Sequence, residues 1–344
     1  MALTLQQKIQ DRDSEVYLIG TTPPRAGLSQ ARMTTIANKL IERLHPSSFD
    51  GVIVYDIQDE SCRNNTPRPF PFKQTVDPRV YSKLLSQLSN QEVITYKSVS
   101  HHDNDCFEQW LTQTQTDFSL QNLVLVGSPS TSGEIRLSLS DACQSATNSQ
   151  HRLFLGGVTI AERHAQKGNE HQRLLQKTQR GAQFFISQAV YDAKATIDLL
   201  TSYAKLCTSQ NIKPSRVILT FTPCGGEKTL SFMNWLGISI PDNAKSRLLG
   251  AQNPLFESLR ICQENLKHIL SHCGNLDIPL GLNIESLTNR KTEIDASVRL
   301  FHLLKQTMNA HLNEVRQAKL DDEDVAADYP VYQRNRQADG IALR

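Results

Sequence analysis

Two runs in the middle of the chain decide the fold: RLFLGGV (residues 152–158) and, after a helical stretch at 173–180, QFFISQ (residues 183–188). Each is short, apolar on successive residues and bounded by turn formers, the pattern of a strand buried on both faces. Their starts lie one strand-plus-helix unit apart, roughly 30 residues. The same unit recurs in both directions. Upstream, residues 16–20, 51–56, 92–96 and 122–127 read as strands, and downstream so do 216–221 and 278–284. Segments 31–44 and 194–207 between them carry helical periodicity. Strands apolar on both faces belong to a parallel sheet covered by helices, and eight such units predict a closed (β/α)8 barrel. No Gly-x-Gly-x-x-Gly follows the first strand to favour a doubly wound sheet. The barrel is expected over residues 15–320, after an N-terminal extension at 1–14 and before a polar tail at 321–344 that opens with Asp321-Asp322-Glu323-Asp324.

Composition narrows the function class. With 344 residues, 39% hydrophobic and 21% charged, the chain has the makeup of a globular enzyme. Lys and Arg number 37 against 35 Asp and Glu, a net +2. Such a balance gives no general attraction to nucleic acid or to an acidic membrane surface, so neither partner is expected. The start MALTLQQKIQDRDSEVYL lacks a basic segment followed by an apolar run, and the seven cysteines are scattered with no Cys-x-x-Cys pair. A cytoplasmic location fits these features. His101-His102-Asp103 with Asp105-Cys106 has metal-ligand types but no matching second cluster, so no metal site is expected.

In a barrel of this kind chemistry belongs at the carboxyl ends of the strands. Those positions hold Thr22, Asp56, Tyr96, Ser128, Glu162 with His164, Gln188, and Asn283 with Glu285. They form a polar rim suited to a ligand with several hydrogen-bonding edges. Each carboxylate has an ordinary alternative role as a loop cap or a wall residue. Two segments break the repeat, Pro67-Arg68-Pro69-Phe70-Pro71-Phe72 after strand two and residues 227–273 between strands seven and eight. Both are candidates for active-site cover or for ornament on the barrel's outside.

Several motifs taken in order resemble the methylenetetrahydrofolate reductase family. They are Thr22-Pro23-Pro24-Arg25, residues 54–60 (VYDIQDE), residues 157–164 (GVTIAERH), Lys177 with Gly181-Ala182, residues 185–192 (FISQAVYD), residues 235–238 (WLGI) and Leu287-Thr288-Asn289-Arg290. The resemblance covers roughly residues 18–304. It implies a cytoplasmic oxidoreductase of one-carbon folate metabolism and methionine biosynthesis that reduces 5,10-methylenetetrahydrofolate to 5-methyltetrahydrofolate. Electrons would come from NADH or NADPH through FAD, and the barrels would associate as homo-oligomers. It also implies roles for single residues. Gln188 would bind the pterin or the nicotinamide, joined on the substrate side by Thr22, Tyr96, Asn283 and Arg290. Ser128, Glu162, His164 and Lys177 would face the flavin, the last two along its ribityl and diphosphate portion.

The chain departs from the family at two catalytic positions. The family's general-acid glutamate, three residues before the Pro-Pro pair, is Gly20 here, and the aspartate of its Arg-Gly-Asp after strand four is Ser128. Strand one in a closed barrel is flanked by strands two and eight, so a relocated acid is expected at Asp56 or Glu285, with Asp56 favoured. Two other readings stay open: a flavin-free folate-linked one-carbon transfer enzyme, and a non-catalytic folate-binding subunit.

Overall fold

The computed structural model describes residues 3–45, 47–60, 64–128 and 135–327, with the side chains of the last helix to residue 318. Eight parallel strands close in sequence order: β1 (Tyr17–Thr21), β2 (Gly51–Val54), β3 (Glu92–Ser98), β4 (Asn122–Val126), β5 (Phe154–Thr159), β6 (Ala182–Ala189), β7 (Arg216–Phe221) and β8 (Leu280–Glu285). All eight expected strands are present, and β8 returns to pair with β1, Gly20 lying opposite Glu285. The fold is a single-domain (β/α)8 barrel.

Helices cover the outside: α2 (Gln30–Leu44), α3 (Pro78–Ser89), α4 (Asn104–Thr116), α5 (Leu139–Asn148), α6 (Ala161–Lys167), α7 (Glu170–Gln179), α8 (Ala193–Ser209), α9 (Glu227–Trp235), α10 (Asp242–Gly250), α11 (Pro254–Cys273) and α12 (Lys291–Ala327), with α1 (Leu5–Gln10) ahead of the barrel. Many of their starts are written locally. Ser29, Asp77, Asp103, Ser138, Asp192 and Asn253 each accept a first-turn backbone N–H through the side chain, satisfying a donor the helix leaves unpaired.

Period-two alternation sorts each strand between two cores. Leu18, Ile53, Ile94, Val124, Phe154, Phe184 and Ile218 fill the barrel interior. Val52, Val54 and Val93 pack outward on Tyr81, Leu84 and Leu85 of α3, while Phe185, Leu219 and Leu282 pack on the far-side helices. The interior has no room to spare at Gly156, where a Cβ would come within 2.4 Å of Phe184.

Two boundaries differ from expectation. The described part of the expected extension, residues 3–14, belongs to the barrel, because α1 seals its amino end. Its Leu5 and Ile9, each 2% exposed, complete the interior cluster. Glu92 accepts the Leu5 N–H at 2.6 Å, and Arg216 donates to the Ile9 and Asp11 carbonyls at 3.0 and 2.5 Å. An anion at the helix start and a cation at its end both complement the helix dipole. At the other terminus α12 continues through the acidic run at 321–324 to Ala327. No Gly or Pro interrupts that run, and Pro330 is the first residue that cannot continue a helix. The remainder of the expected tail, residues 328–344, lies outside the described residues. Among the described residues no helix is long and apolar enough to cross a membrane.

Candidate functional site at the carboxyl end of the barrel

The interior alternation continues past the strands and selects what faces the mouth. From β1 comes Gly20, from the end of β2 Tyr55, from β3 Tyr96, from β7 Thr220, and from β8 Asn283 and Glu285. Tyr55 and Tyr96 meet edge to face, with ring centroids 4.8 Å apart. The Asn283 side-chain amide donates to the Tyr55 hydroxyl at 2.9 Å and to Thr220 at 3.1 Å. The Tyr55 hydroxyl also lies close enough to the Glu285 carboxyl to favour its charged form. The Oδ1 of Asn283 and the Oγ1 of Thr222, both buried, have no protein partner, which leaves polar groups at the mouth to meet a ligand's edge or water.

This constellation corrects the expectation for Asp56. Tyr55 points inward, so its neighbour turns to the outer side of the wall. There Asp56 accepts the Ser98 N–H at 2.8 Å and the Gln58 side-chain amide at 2.7 Å. It ties the ends of β2 and β3 together, the ordinary loop-capping role, and also attracts Lys97. Glu285 is the carboxyl beside Gly20. A Cβ added at Gly20 would lie 2.8 Å from the Tyr55 hydroxyl and 3.0 Å from the Glu285 Cβ. The space of the missing side chain is thus already taken by these two residues. Burial pushes the Glu285 carboxyl up to about 7, against a smaller opposing pull from the Tyr55 hydroxyl. Burial also raises both tyrosines well above their ordinary range, so they remain donors.

The two insertions meet over this end. Arg68 lies over Trp235, Phe232 and Phe72 at 5.1, 5.5 and 5.7 Å, and Phe70 is edge-on to Phe232 at 5.2 Å. The Trp235 indole donates to the Thr66 carbonyl at 3.0 Å. These contacts join the loop after β2 to α9 after β7, three strands away around the barrel. Gln188 reaches the same cover, donating to the Leu236 carbonyl at 3.2 Å. Arg290 stacks over Phe70 at 5.6 Å. Thr22 is exposed in the loop after β1, whose Pro24 carbonyl accepts the Val76 N–H at 2.9 Å.

The positions carried over to a flavin do not assemble. Lys177 lies behind the wall rather than at the mouth, because Gly157, whose missing side chain it covers, faces outward. Its ammonium donates to the Val158 carbonyl and stands 3.8 Å from Glu170, a fully buried carboxylate that also takes Arg163 at 3.0 Å and Arg173 at 3.3 Å. Burial lowers Lys177 to about 8. It anchors α7 to β5, and a diphosphate at the mouth would not find it. His164 is edge-on to His171 of α7 at 5.1 Å. Glu162 accepts the Ser239 N–H at 3.0 Å and shares a small cavity with Gln188 and Asp192. Ser128 ends the described part of the β4 loop, and residues 129–134 lie outside it. Lys177, the cation expected at the diphosphate, is committed to Glu170 behind the wall, whereas the buried Nδ1 of His164 has no protein partner; without that lysine the residues present do not fit the FAD role.

Other candidates fall away on burial. Cys224 is fully buried and pushed up to about 11, which makes it a poor nucleophile. Among the described residues no three His, Cys, Asp or Glu side chains converge to hold a metal ion. A cleft of about 500 Å³ lies at the amino end, lined by Arg12, His151, Arg152 and Arg216. It is remote from the strand ends where barrels carry chemistry.

Sequence reasoning missed Tyr55 and Thr220 as mouth residues. The signal was present in the alternation, since Ile53 and Tyr55, like Ile218 and Thr220, share a face.

No family model matches the chain, and no curated protein matches it either. Among solved structures it is similar to a protein from Clostridium thermocellum that binds two copies of 5-methyl-5,6,7,8-tetrahydrofolic acid. The two are 34% identical over 86% of this chain and 97% of the other, with a TM-score of 0.74. The chain belongs to that protein's family. Phosphonopyruvate hydrolase (11% identity, 96% and 93% coverage, TM-score 0.42) and 2,3-dimethylmalate lyase (11%, 94% and 100%, 0.43) are more distant matches.

Proposed function

We propose that the chain binds a reduced folate at the carboxyl end of its barrel and reduces 5,10-methylenetetrahydrofolate to 5-methyltetrahydrofolate, with a reduced nicotinamide nucleotide as hydride donor. The observation that carries the folate is the 34% identity over nearly the whole of a family member that binds 5-methyltetrahydrofolate. That ligand is the product of the proposed reduction. The mouth supports it with an amide, hydroxyls and two tyrosine rings around one carboxyl, a wall fit for a flat heterocycle with polar edges. A second reading, a folate-binding subunit without turnover, is favoured by the loss of the family's acid at Gly20 and of its flavin-facing aspartate at Ser128.

Calorimetric titration of the purified protein with 5-methyltetrahydrofolate should give saturable binding. Addition of 5,10-methylenetetrahydrofolate with NADH or NADPH should then oxidise the nucleotide and release 5-methyltetrahydrofolate. No heat and no change in tyrosine fluorescence with either folate would remove the folate reading altogether. Binding without nucleotide oxidation would select the non-catalytic subunit.

A further inference from the structure

We propose that Glu285 is the proton donor to the folate's N10, moved from strand one to strand eight. The inference rests on the folate reading above and deepens it. Reduction of the methylene bridge needs a proton as well as a hydride. N10 takes the proton as its bond to the methylene carbon breaks, the carbon is held on N5 as an iminium, and hydride from the nicotinamide converts it to the N5 methyl. The oxidised nucleotide leaves, and Glu285 regains a proton from water.

Three observations place that proton on Glu285. First, β8 pairs directly with β1, so Glu285 and Gly20 are cross-strand partners on the inward face. A carboxyl on either strand therefore addresses the same volume. Second, the exchange is reciprocal in space: a Cβ at Gly20 would meet the Tyr55 ring at 2.8 and 2.9 Å and Glu285 at 3.0 Å. Glycine on strand one is what allows Tyr55 and the strand-eight carboxyl to stand where they do. Third, α1 seals the amino end, so the partial exposure of Glu285 can only come from the mouth, the side from which a ligand enters. Tyr55 and Tyr96, both neutral, face it, with Asn283 behind the Tyr55 oxygen, and a carboxyl buried among such groups holds its proton near neutrality. Tyr55 is a positioning residue here, with Asn283 holding its oxygen.

The test is single-turnover reduction in native, Glu285→Gln and Tyr55→Phe proteins across pH, with folate affinity titrated separately. Native turnover should fall as pH rises through about 7. Glu285→Gln should still bind folate saturably, lose about 10²-fold or more in rate at saturating folate, and lose that limb. In Tyr55→Phe the carboxylate loses the hydroxyl that favours its charged form, so the limb should move to higher pH while turnover persists. Native-like rates in Glu285→Gln, or an unmoved limb in Tyr55→Phe, would overturn the assignment, as would a native protein that binds folate and turns over with neither nucleotide. Failure of the native protein to bind folate is a separate result, which removes the function itself.

Discussion

At the residue scale the decisive pair is Gly20 and Glu285. A sequence comparison sees an acid lost. In the structure the acid's volume is filled by Tyr55 and Glu285, so restoring a side chain at Gly20 would crowd both rather than refill a gap. The Glu285 carboxyl also makes stability depend on pH. Folded, it keeps its proton to about 7, whereas its ordinary value is 4.5. Between those values the folded state binds more protons than the unfolded chain, so this residue's contribution is present at low pH and is lost as pH rises towards 7. Glu285→Gln has no such dependence. Its stability relative to the native protein should therefore increase by about 3 kcal/mol between pH 4 and pH 8, an upper figure for a shift of this size. Paired urea melts at the two pH values measure it, and a constant difference between the proteins would contradict the burial of this carboxyl.

At the element scale α1 has the clearest energetic role. A helix of six residues has little stability of its own. It is held by Glu92 at its start, Arg216 at its end and two apolar side chains in the barrel. Ile9→Ala should cost about 2–5 kcal/mol, since the surrounding strands cannot collapse into the cavity left behind. Folate affinity should be unchanged, because this end is the full length of the strands away from the mouth. Urea midpoints with folate titration on the same sample test both halves of that expectation. The cover at the other end is built differently. Its loop after β2 and α9 are joined by Arg68 and Lys228 over aromatic rings, by aromatic edges and by hydrogen bonds from Asn64 and Trp235.

At the scale of the whole molecule, burial decides how the thiols behave. Of the described cysteines, Cys106 is exposed, while Cys143, Cys207, Cys224, Cys262 and Cys273 are buried. All six are free, consistent with their scattered spacing. Under native conditions a thiol reagent should label Cys106 ahead of these five, which should react only on unfolding. Comparison of Cys106→Ser with the native protein isolates its contribution to the fast phase. Rapid labelling of any of the five in the folded protein would contradict the packing of the outer layer.

The amino-acid sequence by itself determined the eight strands, their order and the barrel, because short two-faced apolar runs at regular spacing have few other ways to be buried. It also marked the insertions at 67–72 and 227–273, and the second resolves into α9, α10 and α11. What it could not determine was which of two neighbouring polar residues faces inward at a strand's end. Asp56 and Tyr55 differ by one position, and one position reverses the face. Lys177 likewise has the charge for a phosphate but stands on the outer side of β5, committed to Glu170. That strand eight flanks strand one follows from the barrel the sequence predicts, but the register that sets Glu285 directly opposite Gly20 comes only from the pairing of β8 with β1. Strand-forming tendency is a local property of the chain, whereas the burial that sets a carboxyl's proton affinity is supplied by residues brought together from five strands.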